Sequence, residues 1–127
     1  MAAVTVSNWK HSITYHPHSV ETITGVEDIR RIVKDAARYL APVRARGSHH
    51  STTRCVVADG GTVLDMTRFN RILNIDRERC EITMQAGVLH IDAAKELERN
   101  GLQFFVNCEI GNLTVGSGAC GGTKDAS

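Results

Sequence analysis

Val43-Arg44-Ala45-Arg46-Gly47-Ser48-His49-His50-Ser51-Thr52 runs from a short strand into a polar loop that carries two adjacent imidazoles. Gly47 can take the positive φ that a sharp reversal needs, and successive peptide N–H groups around it can converge into an anion-binding concavity. Arg44, Arg46 and Arg54 add positive charge nearby. A second stretch, Thr114-Val115-Gly116-Ser117-Gly118-Ala119-Cys120-Gly121-Gly122-Thr123, is so poor in side chains that its backbone can lie directly against a ligand. Two such segments point to one large phosphate-bearing cofactor.

Outward from the histidine loop, the pattern is α+β. Upstream, Val20 to Ile23 reads as a strand, and Thr24-Gly25-Val26-Glu27 fits a capping box in which Thr24 and Glu27 satisfy each other's end of a helix start. Ile29, Ile32, Val33, Ala36, Ala37 and Leu40 recur at helical spacing, and Pro42 closes that helix. The order strand, helix, strand favours a small parallel sheet with flanking helices. Downstream, a short strand is expected at Cys55 to Ala58, before the turn residues Asp59-Gly60-Gly61. Arg71 to Asp76 and Glu81 to Ala86 flank Arg77-Glu78-Arg79 as an antiparallel hairpin, buried through Ile72, Leu73, Ile75, Ile82 and Met84. Gly87 interrupts the second of those strands. A helix follows from about His90 to Asn100, buried through Ala93, Ala94 and Leu97 and stopped by Gly101, and Leu102 to Val106 returns as an extended apolar piece.

Bulk composition narrows the function. The 127 residues are one domain's length, and 42% hydrophobic content supports a core without suggesting membrane residence. Fifteen basic against 14 acidic residues leave a net charge of +1, which gives no footprint for nucleic acid or an anionic membrane surface. Cys55, Cys80, Cys108 and Cys120 form no Cys-x-x-Cys pair, so they read as free thiols. With no transmembrane-length segment and no signal-peptide pattern in Met1 to Asn8, a cytoplasmic location is expected.

The competing motifs are weaker. His49 and His50 could be loop surface residues, and as a metal pair they are poor, since neighbouring side chains diverge and no third ligand stands at a characteristic spacing. Gly116-x-Gly118-x-x-Gly121 has the spacing of a dinucleotide fingerprint but lacks the following helix and acidic residue. Trp9, Phe69, Phe104 and Phe105 read as core, and nothing marks Cys120 as a nucleophile. The sequence runs out at Lys124-Asp125-Ala126-Ser127 without an element to cover the glycine-rich stretch, which suggests a fragment, a truncated product or half of a split assembly.

In their order, these segments resemble the FAD-binding region of the vanillyl-alcohol oxidase superfamily, the p-cresol methylhydroxylase type, and within it the sugar-lactone oxidases. Asn8-Trp9 is similar to the Asn-Trp that opens many aldonolactone oxidases. Val43 to Ser51 resembles the pyrophosphate loop, an apolar strand followed by Gly-Ser-Gly-His-Ser, and Val63 to Leu73 resembles the segment after it. Ile82-Thr83-Met84-Gln85-Ala86-Gly87 resembles the strand ending in Ala-Gly, and Thr114 to Thr123 the run Thr-Ile-Gly-Gly-Ala-Ile-x-x-Gly-Thr that lines the cofactor. The chain departs from the pattern at His49, where glycine is usual, and at Lys124, where histidine is common.

The resemblance implies FAD as cofactor, held at Arg46, Gly47, Ser48, His49, His50, Ser51 and Thr52, at Ala86 and Gly87, and at Thr114, Gly116, Ser117, Ala119, Cys120, Gly121, Gly122 and Thr123. It makes His50 the candidate for covalent attachment to the flavin C8 methyl, chemistry that suits a neutral imidazole nitrogen. It implies residues 1–127 as the N-terminal part of an FAD-binding domain in an oxidoreductase passing a hydride from a substrate C–H to flavin N5. The cap domain, the remainder of the flavin fold and the catalytic residues would lie elsewhere, in the rest of the polypeptide or a second chain. The alternative is a noncatalytic flavin-fold module or a partner-docking fragment.

Overall fold

The computed structural model describes residues 4–124, and the chain divides into two compact units, Met1–Arg68 and Phe69–Ser127. The class is α+β, as expected. Asp125, Ala126 and Ser127, read above as the end of an uncovered segment, lie outside the described residues.

The first unit opens with an antiparallel pair, β1 (Val6–Ser7) and β2 (Thr14–Tyr15), in which Val6 faces Tyr15. It continues with β3 (Ser19–Thr22), α1 (Val26–Lys34), β4 (Val43–Arg46) and β5 (Thr62–Asp65). The last three strands form a parallel sheet in the order β3-β5-β4. Flanked on both sides, β5 is the most buried strand, with Thr62 and Val63 fully enclosed and Leu64 nearly so. The core of the unit gathers Ile13, Tyr15, Ala58 and Val63, with Val6, Val20, Val56 and Val57 packed against them.

Three expectations are corrected here. No strand forms at Cys55 to Ala58; Arg54–Val56 is a 3₁₀ turn, and the third strand begins only after Asp59-Gly60-Gly61. Those residues start a strand rather than end one, because Gly60 turns at φ +67° and Gly61 packs where a Cβ would lie 2.2 Å from the Pro42 carbonyl oxygen. The helix start is shifted by one residue. Asp28, not Glu27, accepts from the N–H groups of Thr24 and Gly25 and from the Thr24 hydroxyl, while Glu27 pairs with Arg30. The helix also ends early, at Lys34. Asp35 diverts the backbone by accepting from the Arg38 N–H, and Tyr39 is the buried residue of the segment, leaving Val33, Ala36, Ala37 and Leu40 exposed.

The second unit contains the expected hairpin, β6 (Ile72–Asp76) and β7 (Glu81–Met84), antiparallel with Cys80 in the turn at φ +54°. A register shift between Ile72 and Asn74 turns Leu73 outward, where it is exposed rather than buried. Helix α2 (His90–Arg99) buries His90, Ala93 and Leu97 and leaves Ala94 partly open. It closes as expected at Gly101, φ +71°, with the Leu102 N–H returning to the Leu97 carbonyl. Leu102 to Val106 forms no strand, and Phe105 and Val106 face solvent. The glycine-rich run forms a short helix, α3 (Val115–Gly121). Among the described residues no helix is long and apolar enough to cross a membrane.

Candidate functional site

The histidine loop leaves the end of β4 inside the first unit, and its conformation differs from the sequence reading at one residue. The positive φ falls not on Gly47 but on His49, at +59°. A Cβ makes that region unfavourable for most residues, with histidine among the tolerated exceptions. What holds His49 there is burial: it is 9% exposed, its ring lies 6.1 Å from that of the enclosed Tyr15, and its Nε2 stands 3.5 Å from the Tyr15 hydroxyl. Burial lowers the His49 pKa from 6.5, the neighbouring Arg46 charge lowers it further, and Asp65 opposes both. The imidazole is therefore neutral at pH 7. Tyr15 is shifted upward by burial, against the Arg46 charge.

Arg46 ends β4 facing Asp65 at the end of β5, with Nη2 to carboxylate 2.7 Å. Asp65 also accepts from the Thr67 N–H and hydroxyl, so the pair is fixed from both sides. Arg46 Nε and His49 Nδ1 are buried and have no hydrogen-bond partner among the described residues. Nor does any backbone N–H from Gly47 to Thr52 have an acceptor among those residues. Further along, Ser51 Oγ meets Cys55 Sγ at 3.2 Å, and that contact is the main reason the exposed Cys55 thiol is shifted below its usual pKa.

Two residues from the N-terminal hairpin, Asn8 and Trp9, grip this loop. The Trp9 N–H donates to the His49 carbonyl at 3.0 Å, and Asn8 Nδ2 donates to the Ser51 carbonyl at 3.1 Å. Trp9 is not core: it is more than half exposed, with its indole 6.3 Å from the His50 ring. The pair Asn8-Trp9 was visible as a motif, but not its contacts, because they reach across some forty residues of sequence.

In the second unit, the structure brings Ala86 and Gly87 against the start of α3. The Gly116 N–H donates to the Ala86 carbonyl at 2.9 Å and the Val115 N–H to Val88 at 2.8 Å, so neither amide is free for a ligand. Gly116 is required for a packing reason, since a Cβ there would come within 2.8 Å of the Ala86 Cβ. Gly87 is buried, with its N–H on the Phe69 carbonyl. Thr114 and Ser117 share a hydroxyl contact of 2.7 Å across the first turn. Gly116, Gly118 and Ala119 help to line a cavity of about 570 Å³ together with Met84, Cys108 and His90, whose ring stacks on Phe104 at 4.4 Å. The Thr123 hydroxyl contacts Cys108 Sγ at 3.2 Å, while Cys120, Gly121 and Gly122 are exposed.

The family described as FAD binding domain matches residues 17–124. The chain is 28% identical over 122 residues to L-gulonolactone oxidase of Mus musculus, covering 96% of this chain and 28% of that protein. It is 30% identical over 118 residues to glycolate oxidase subunit GlcD of Bacillus subtilis, covering 85% and 25%. Among solved structures, cholesterol oxidase from B. sterolicum superposes with a TM-score of 0.73 at 24% identity, covering 88% of this chain and 22% of that one. Alkyldihydroxyacetonephosphate synthase superposes with a TM-score of 0.72 at 18% identity, covering 85% of this chain and 21% of that one. The chain thus spans about a quarter of the length of the curated relatives it matches.

Proposed function

The chain belongs to the FAD binding domain family, and from that premise we propose that it serves a flavin-dependent oxidoreductase by holding the diphosphate of FAD in the loop Arg46–Thr52. When bound, FAD accepts a hydride from a substrate C–H; the protein supplies position and electrostatics. One observation carries the reading: the run of backbone N–H groups from Gly47 to Thr52 without an acceptor among the described residues, beside the buried, unpartnered Arg46 Nε and His49 Nδ1. A buried donor such as Arg46 Nε is ordinarily satisfied, and the partly open amides of the loop beside it can join it in holding a polyanion. The residues present therefore fit the group.

Within this reading Arg46 acts mainly through Asp65, which anchors the loop to the end of the sheet. His50 is the candidate for covalent linkage, with Trp9 beside it as one wall. In the second unit, Ala86, Gly87 and the segment Thr114–Thr123 are the further cofactor-lining candidates. Two of the relatives similar in sequence are named for a lactone, L-gulonolactone, and a hydroxy acid, glycolate, so a substrate of that class is the natural first trial. Turnover would draw on further polypeptide, in the same chain or a partner. Four cysteines without a disulfide among them support a reducing, cytoplasmic location.

Nuclear magnetic resonance of the ¹⁵N-labelled chain tests the proposal. FAD and inorganic pyrophosphate are both expected to shift the amides of Gly47 to Thr52, and riboflavin, which lacks the diphosphate, is not. Saturable FAD binding that leaves those amides unmoved would sink it. Retention of flavin colour through acid precipitation, and its loss in His50→Ala, decides covalency.

A further inference from the structure

The Asn8-Trp9 pair lies outside the binding loop, yet it touches the main chain on each side of His50. The Trp9 N–H holds the His49 carbonyl at 3.0 Å, and Asn8 Nδ2 holds the Ser51 carbonyl at 3.1 Å. Asn8 is itself 3% exposed and fully engaged: its Oδ1 accepts from the Ile13 N–H at 3.1 Å, closing the turn between β1 and β2, and its Nδ2 also reaches Ser12 Oγ at 3.1 Å.

Planarity turns these two contacts into a statement about two other atoms. The only cis peptide bond among the described residues is Ala41-Pro42. In a trans peptide the C=O and the following N–H point in opposite directions. With the His49 and Ser51 carbonyls drawn onto the N-terminal hairpin, the N–H groups of His50 and Thr52 must point away from it. Neither has an acceptor among the described residues.

We infer that Asn8 and Trp9 are positioning residues for an anion anchor formed by the His50 and Thr52 amides, which take the same anionic group of the cofactor. The inference rests on the proposed FAD reading and adds to it which two amides act and what aims them. Trp9 contributes through its backbone, so its side chain is replaceable for this purpose. Asn8 contributes through its carboxamide, so it is not.

Asn8→Asp separates the two tasks of that side chain. The carboxylate keeps an oxygen for the Ile13 N–H but loses the donor to Ser51. The Ile13 amide is expected to keep its position, the His50 amide to keep its response to inorganic pyrophosphate, and the Thr52 amide to lose its response. The FAD dissociation constant should rise about tenfold, as loss of one hydrogen bond to a charged group implies. A full Thr52 response in Asn8→Asp with the Ile13 amide undisturbed overturns the inference. If the substitution disturbs Ile13 as well, Thr52→Pro decides when set against Thr52→Ala, which loses the side chain but keeps the amide: pyrophosphate binding weakened in the proline variant alone supports the anchor, and binding that is unchanged, or weakened equally in both, refutes it. The two levels remain distinguishable. If neither FAD nor pyrophosphate moves any loop amide in the unaltered chain, the FAD reading of the loop falls and takes the anchor with it. If both ligands move the loop but these variants do not matter, only the anchor falls.

Discussion

At the scale of the residue, His49 carries the sharpest consequence of the structure. Glycine is the usual bearer of positive φ, which makes Gly47 the expected turn residue, whereas burial against Tyr15 holds His49 in that conformation instead. His49→Ala and His49→Gly both delete the ring, but only glycine is at ease at that φ. Urea unfolding should find the alanine variant less stable than the glycine variant by about 1 kcal/mol. The depressed pKa of His49 also gives stability a pH dependence of definite sign. The folded state binds the proton less readily than the unfolded chain, whose imidazole titrates at 6.5. The stability it contributes is complete above that pH and declines as pH falls from there through the lower folded value. His49→Gln, which cannot take the proton, should show a shallower loss between pH 7 and 5 in the same unfolding measurement.

Among the elements, what was legible in sequence is what local chemistry decides. Strand β4, the hairpin turn and the stop of α2 at Gly101 follow from turn residues and alternation, and the structure has them where they were expected. The extent of α1 was not legible, because apolar spacing continues past Lys34 while Asp35 and the buried Tyr39 take the backbone elsewhere. Strand β5 was missed because two glycines before it look like an ending. Of the candidate site, the loop itself could be read, but its grip by Asn8 and Trp9 could not, being wholly non-local. The cap of α1 gives a direct test. Asp28, held near pKa about 2 chiefly by the Thr24 N–H, is ionised and bonded at neutral pH. Asp28→Asn should lower the melting temperature at pH 7, and the difference should vanish as the pH falls from 3.8 through about 2. In the second unit, Gly116→Ala forces a Cβ to 2.8 Å from that of Ala86 and 3.0 Å from its carbonyl oxygen. A loss of about 1–3 kcal/mol by urea unfolding is expected. Adding Ala86→Gly should recover part of it, since only the nearer of the two contacts is removed.

For the molecule as a whole, a ligand that binds only the folded chain must stabilise it. At roughly a hundredfold excess over its dissociation constant, FAD should add about 2.7 kcal/mol to the unfolding free energy. Calorimetric scans with and without FAD would measure this, and an unmoved transition would count against binding. Because the chain covers about a quarter of its relatives' length, substrate-dependent peroxide release from the FAD-loaded chain alone is expected at background. The placement of β5 has a further bearing on how this protein comes into being. Thr62 lies beside both Ser19 and Val43, and Asp65 beside both Thr22 and Arg46, so the two outer strands share no ladder with each other. On a translating ribosome both emerge before the strand that joins them, β3 with 39 residues intervening and β4 with 15. Until Asp65 has cleared the exit tunnel, the nascent segment exposes unpaired edges that a chaperone could recognise.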